Sequence, residues 1–260
     1  MNRYRSQVTR QPKAGFTLVE LVTVIAIMAV LAAILFPVFY KVQECGKAVS
    51  CLSNMRQLGI AVTLYVDDND SRFPSAAPWG APSYWKSFNE RTIVEALKPY
   101  VSSSIQREGD QFVRCGVFAC PSDVRLPSTY GMVCGVPSGQ PVWKFAGCSY
   151  EYYSSNQDDW LRYGTDPPPV PWTALAPEVE VASGKMERVG APASAIFDLS
   201  EKAVMGDTYF WHMGDRVPDG SMVYRNTVFA DGHAERVRGV AHVQARIQQL
   251  KRWHTFSEVE

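Results

Sequence analysis

The chain opens polar and basic and then turns abruptly apolar. Phe16 to Phe39 is a run of 24 residues with a single charge, Glu20. As a helix rising 1.5 Å per residue, that run spans about 36 Å, enough to cross a bilayer core. The 15 preceding residues carry Arg3, Arg5, Arg10 and Lys13 and no acid. This charge bias places the leader on the cytoplasmic side and the rest of the chain outside. The small pair Ala14-Gly15 precedes the apolar run rather than following it. Cutting there would leave the helix on the mature chain, unlike the processing of a secretory signal. A carboxylate inside a membrane segment costs at least ~2.5 kcal/mol and marks a function with a partner.

After Lys41 the pattern becomes amphipathic. Leu52, Met55, Leu58, Ile60, Val62 and Tyr65 recur mostly at three- and four-residue spacing. Asp67-Asp68-Asn69-Asp70-Ser71 then stops the pattern, so one helix is predicted from about 16 to 66. Pro37 should kink or loosen it. Phe73 to Tyr100 is rich in proline and reads as loop, except for a short helix around Arg91 to Leu97 ended by Pro99. Cys115 to Ser128 reads as strand then turn, and Asp166 to Pro171 as a stiff polyproline connector. Ala193 to Leu199 and Thr208 to Met213 read as strands. Arg225 to Ala230 and His233 to Val237 read as a hairpin around a two-residue Asp231-Gly232 turn. Val240, Val243, Ile247, Leu250 and Trp253 mark a closing amphipathic helix. The fold class is therefore α+β: a long N-terminal helix, membrane-spanning in its first half, packed on a C-terminal antiparallel β-sheet head.

The run Gly15-Phe16-Thr17-Leu18-Val19-Glu20, leading directly into the apolar helix, resembles the class III signal of type IV pilins and type II secretion pseudopilins. The resemblance implies cleavage by a prepilin peptidase between Gly15 and Phe16 and methylation of the new amino group on Phe16. It implies that Glu20 pairs with the N-terminal amine of a neighbouring subunit during assembly. The implied parts are a leader (1–15), an assembly helix (16–39), an amphipathic continuation (40–66) and a periplasmic or extracellular head (67–260). Implied partners are the peptidase/methyltransferase, other pilin or pseudopilin subunits, an inner-membrane assembly platform and membrane lipid. Pro37 fits the same family, where a proline near this depth is common.

Further matches point to a narrower pilin-like group. Cys51-Leu-Ser-Asn-Met-Arg-Gln-Leu58, then Tyr65 and Arg72-Phe-Pro74, is similar to its helix exit, and Phe118-Ala-Cys-Pro-Ser-Asp123 also fits. That group carries a C-terminal histidine, nine residues, then Asp-Gly, here within about 194–238. Asn226 to His233 matches the closing piece, but 18 residues separate His212 from Asp231. The extra length lies around Arg216 to Met222.

Composition narrows the chemistry. Without the four leader cations, 22 basic residues face 26 acidic ones, so the external part is mildly acidic and no nucleic-acid partner is expected. About 190 residues remain for an external domain, ample for one core. Six cysteines in an exported chain are compatible with disulfides. The local candidates are Cys115 with Cys120 and Cys134 with Cys148; free thiols and a zinc site are the alternatives. Asp67, Asp68, Asn69 and Asp70 are an oxygen-rich set that could hold calcium, although the segment lacks a complete EF-hand pattern. His212, Asp231 and His233, with Asp198 as a possible addition, are a candidate metal or acid/base cluster; the plain reading is a turn between two strands. Gly-x-Ser-x-Gly, Walker A and Gly-x-Gly-x-x-Gly are all absent, so no cofactor and no enzyme activity is expected. The leading reading is a structural subunit of a type IV pilus or a type II secretion pseudopilus. The alternative is a membrane-anchored or filament-tip module that binds a secreted substrate or surface polymer, its aromatics Trp79, Tyr84, Trp85, Tyr150, Tyr152, Tyr153 and Trp160 being candidates for the binding surface. A hydrolase using His212 and Asp231 is a third.

Overall fold

A computed structural model describes residues 16–77, 91–109, 111–126, 132–133, 136–137, 139–154, 175–176, 178–180, 186–196, 198–209 and 224–238. The chain divides into two compact units, Met1–Gln43 and Glu44–Glu260.

Helix α1 runs over Leu18–Asp68, 51 residues, and continues unbroken through Pro37. Proline lacks the amide that would bond back to Ala33, but one missing bond in so long a helix leaves the flanking turns intact. In the first unit α1 exposes its large apolar side chains, among them Val22, Ile25, Leu31 and Phe36. It is, among the described residues, the helix long and apolar enough to cross a membrane. In the second unit one stripe of α1 is buried: Cys51, Met55, Leu58, Gly59, Ala61, Val62 and Tyr65. Ile60, expected on this stripe, is 59% exposed. At 100° per residue it lies 200° from Leu58, so the two cannot share a face.

Asp67-Asp68-Asn69-Asp70 ends the helix as expected. The Asn69 side-chain amide donates to the Tyr65 carbonyl at 2.7 Å. Asp70 and Ser71 take positive φ, 53° and 56°, turning the chain out of the helical path.

The second unit centres on a four-stranded antiparallel sheet in the order β10-β9-β8-β5. The strands are β5 (Tyr150–Tyr152), β8 (Ala203–Asp207), β9 (Tyr224–Phe229) and β10 (Ala234–Arg238). Among the described residues three two-stranded ribbons accompany it: β1 (Gln106–Glu108) with β2 (Gln111–Arg114), β3 (Met132–Val133) with β4 (Val136–Pro137), and β6 (Glu178–Glu180) with β7 (Met186–Arg188). Among the described residues it also holds two short helices, α2 (Ile93–Leu97) and α3 (Val142–Ala146). Helix α2 opens on a Thr92/Glu95 capping box and passes into a short 3-10 turn holding Pro99. A long helix and antiparallel sheets give the pilin-like α+β architecture.

One strand expectation, Ala193 to Leu199, is corrected. Ala193–Ala195 is a 3-10 turn, not the start of a strand. Of the strand expected over Thr208 to Met213, Thr208 and Tyr209 lie outside any strand and the rest lies outside the described residues; a strand that the pattern does not mark lies just before, at Ala203–Asp207, with all five residues buried. A strand covered on both faces has no reason to alternate, so it carries no period-two pattern. The hairpin at Asp231-Gly232 is real but its loop has three residues. The Phe229 amide donates to the His233 carbonyl at 2.9 Å, and the Gly232 amide to the Phe229 carbonyl at 2.9 Å. Gly232, at φ 90°, supplies the left-handed residue that such a loop requires. The expected closing helix lies outside the described residues.

The hairpin tip meets α1 backbone to backbone. A Cβ on Gly59 would lie 2.1 Å from the Gly232 carbonyl oxygen, and one on Gly232 would lie 2.5 Å from the Thr63 hydroxyl oxygen. The Asp-Gly pair is therefore more than a turn: its glycine seats the hairpin against the helix.

Candidate functional sites

The helix start is the first site. Thr17 precedes α1, and Glu20 lies three residues on. The Thr17 amide and hydroxyl donate to the Glu20 carboxylate at 2.8 Å and 2.7 Å. The Glu20 amide in turn donates to the Thr17 hydroxyl at 3.3 Å. This is a reciprocal capping box, legible in the sequence as Thr-x-x-Glu; the expectation for Glu20 looks instead to a partner on a neighbouring subunit and passes over this local one. Phe16 is 86% exposed at the end of the helix. Gly15, the other half of the processing site, lies outside the described residues.

A second site is buried in the larger unit and joins residues that the sequence left apart. Cys51 comes from α1, Cys120 from the turn after the 3-10 segment Gly116–Phe118, Tyr150 from β5 and Asp207 from the end of β8. All four are at most 1% exposed. The Cys51 sulfur lies 3.3 Å from the Tyr150 hydroxyl, and its thiol donates to Asp207 Oδ1 at 3.5 Å. Asp207 Oδ2 accepts from the Asn226 amide at 2.9 Å. One ligand atom each from Cys51, Cys120 and Asp207 lies within 4.8 Å of the others. Burial drives the Cys51 thiol and the Tyr150 phenol strongly upward. Burial also lifts Asp207 to about 7 against the pull of the Asn226 amide, the Cys51 thiol, Arg225 and Arg236.

The five described cysteines, Cys45, Cys51, Cys115, Cys120 and Cys148, are all thiols. The expected Cys115–Cys120 link is not formed: Cys120 lies with Cys51, while Cys115 donates to the Trp143 carbonyl at 3.8 Å. Spacing of four residues suggested a local pair, but the 3-10 turn between them sends the two sulfurs to different neighbours. Cys148 accepts from the Tyr150 amide, and burial pushes Cys115 up to about 12. Cys134 lies outside the described residues.

Asp123 anchors a third buried network. Its carboxylate accepts from the Val142 and Trp143 amides at 3.0 Å each and from the Ser149 hydroxyl at 2.7 Å. Burial raises it to about 6 despite these three donors. It caps the start of α3, giving the Phe118-Ala-Cys-Pro-Ser-Asp123 segment a structural role.

The oxygen-rich set Asp67, Asp68 and Asp70 is exposed at the end of α1. Among the described residues the ligand-type cluster is the cysteine–aspartate one, and these three carboxylates do not form another. Asp231 and His233 do meet: Oδ1 and Nδ1 are 2.6 Å apart, and the His233 ring stacks on Phe229. Both are partly exposed at the hairpin tip, as the plain turn reading expects. His212 lies outside the described residues, as do Trp79, Tyr84, Trp85 and Trp160. Of the expected aromatic surface, Tyr150, Tyr152 and Tyr153 are buried in the core. Asp198 accepts from the Ser200 amide and hydroxyl in its own turn.

The family described as prokaryotic N-terminal methylation motif matches residues 10–36. No curated protein and no solved structure matches the chain. The match makes the N-terminus prepilin-like and supports a type IV pilin or pseudopilin-type precursor. It points to a structural subunit processed by prepilin peptidase and assembled with other pilin subunits. It covers the leader end and the apolar half of α1, and nothing in it reaches the head or the C-terminal Asp-Gly region.

Proposed function

We propose that this protein is a structural subunit of a type IV pilus or a type II secretion pseudopilus. The methylation motif at residues 10–36, opening an exposed apolar helix with one carboxylate, carries the reading. The chain inserts in the cytoplasmic membrane with its leader inside and its head outside. The assembly platform receives it after cleavage behind Gly15 and methylation of Phe16. The outward apolar side chains of the first half of α1 then pack against lipid and, in the filament, against other subunits. Glu20 accepts the incoming amine of a neighbour in a low-dielectric setting, where an opposite charge counts for most.

The capping box shapes the test. Glu20→Ala removes both the charge and the cap. Glu20→Gln keeps an oxygen for the Thr17 amide and hydroxyl and removes only the charge. The full chain is co-expressed with an active prepilin peptidase and read by intact mass and N-terminal sequencing. Loss of residues 1–15 with a methylated Phe16 is the expected result for wild type and both variants. The Glu20→Gln subunit is expected to insert in the membrane, be cut, and fail to enter filaments. An uncut wild-type chain beside an active peptidase would rule out the processing step.

A further inference from the structure

Two cysteines that lie close together in the core are far apart in sequence. Cys51 and Cys120 bring their sulfurs together within the buried cluster, at most 4.8 Å apart. Cys51 sits on the packed face of α1 and Cys120 in the turn that follows β2, so a bond between them would fasten the helix to the domain. We propose that Cys51 and Cys120 form a disulfide in the exported protein, a modification site that staples the helix to the head. The proposal rests on the external placement of the head under the function above, because an oxidising compartment is what makes such a bond persist.

The chemistry of the pocket favours a covalent link over a bound cation. A metal on Cys51, Cys120 and Asp207 requires both thiols and the carboxylate in their charged forms. That set carries three negative charges against the two of a divalent ion, in a fully buried place where burial opposes ionisation of Cys51 and, even with Arg225 and Arg236 acting on it, of Asp207. A disulfide is neutral and places no charge there. Asp207 keeps the Asn226 amide as a donor when the Cys51 thiol is gone. Tyr150 keeps a sulfur to face.

Both sulfurs are enclosed in the folded unit, so exchange takes place as the head folds. The co-reactant is a protein or small-molecule disulfide of the exported compartment. One cysteine loses its proton and its sulfur attacks a sulfur of that donor, breaking the donor bond and releasing one thiol. The second cysteine sulfur then displaces the donor's other thiol. Two S–H bonds are lost and one S–S bond is gained, and the donor leaves as two thiols carrying both electrons and both protons.

The test maps thiols in the full chain made in bacterial cells. Cells are quenched in acid, alkylated, and the protein digested with and without reductant for mass spectrometry. The expected product is a peptide pair joined at Cys51 and Cys120, with both residues alkylated only after reduction. Cys45, exposed on the same helix, reports topology through a membrane-impermeant maleimide applied to intact cells. Labelled Cys45 with Cys51 and Cys120 already alkylated overturns the staple and leaves the topology standing. Unlabelled Cys45 overturns the topology. The staple is then decided by refolding the denatured full chain in detergent with a glutathione redox buffer, where the same joined pair is expected and its absence overturns the proposal. A Cys115–Cys120 peptide in either arm overturns it too. So does protection of Cys51 and Cys120 that a chelator, rather than a reductant, releases.

Discussion

The two halves of α1 share one backbone conformation and differ in what surrounds them. From Leu18 to Gln43 the apolar side chains point outward all round; Leu21, Met28, Leu31 and Phe36 are between 59% and 71% exposed. From Glu44 to Asp68 a narrow stripe is buried and the opposite face is wet, with Ile60 and Leu64 exposed. The first half is the more apolar of the two, yet among the described residues it is the exposed half. Apolar content alone therefore does not say where a helix belongs. A helix apolar on all sides fits surroundings that are apolar on all sides, such as lipid or a bundle of like helices. A striped helix fits one surface, and here that surface is the core of its own domain.

Glu20→Gln should break the comparison most sharply. It is expected to abolish filament incorporation while leaving the thermal midpoint of the purified full chain unchanged. Wild-type amounts of the variant in filaments would defeat the pairing role. Next in size is a matched pair of leucines. Leu58→Ala, at a fully buried position, should cost ~2–5 kcal/mol in denaturant unfolding of the detergent-solubilised chain. Leu31→Ala, at 61% exposure, should stay within ~0.5 kcal/mol in the same assay and show its effect only in filament yield. Equal losses would mean that the first half also packs on the domain.

Two glycines sharpen the comparison further. Gly59→Ala drives a Cβ into the Gly232 carbonyl and should destabilise by ~1–3 kcal/mol. Gly46→Ala meets nothing within 4 Å and should stabilise by ~0.5–1 kcal/mol through helix propensity alone. Thermal or denaturant melts of both variants decide it, and a neutral Gly59→Ala would show that the hairpin tip can retreat. The dependence on pH belongs to the second half's domain alone. Asp123 and Asp207 keep their protons up to about 6 and about 7 in the folded chain, against 3.8 in the unfolded one. Between about pH 4 and pH 7 the unfolded chain therefore binds fewer protons, and stability falls as pH rises. The thermal midpoint should drop by roughly a few degrees from pH 5 to pH 7.5. Asp123→Asn should flatten the part of that slope below about pH 6, and a midpoint rising over this window would contradict the buried-carboxylate account.

Elements with a local physical signature were legible in the sequence. The apolar run, the amphipathic continuation, the polar stop at Asp67 to Ser71 and the Asp231-Gly232 hairpin all appear close to where their residues place them. The Ala203–Asp207 strand offers no alternation to read, because burial on both faces erases it. Ala193 to Leu199 reads as a strand, yet it opens on a 3-10 turn, because the small apolar residues of Ala193–Ala195 suit either conformation and only their neighbours settle which. The cysteines show the same limit. Spacing suggested Cys115 with Cys120, whereas Cys51 stands 69 positions before its real neighbour, and no local pattern reports so distant a meeting.

By itself the sequence determined the prepilin-like start, the membrane-length helix and the Thr17/Glu20 pair at its head, because each depends on residues within a turn or two of one another. Tertiary structure alone decided which stripe of α1 is buried, that Gly232 rests on Gly59, and that Cys51, Cys120, Tyr150 and Asp207 share one pocket. Those outcomes come from close packing of segments far apart in the chain, where each surface is chosen by the shape of the other.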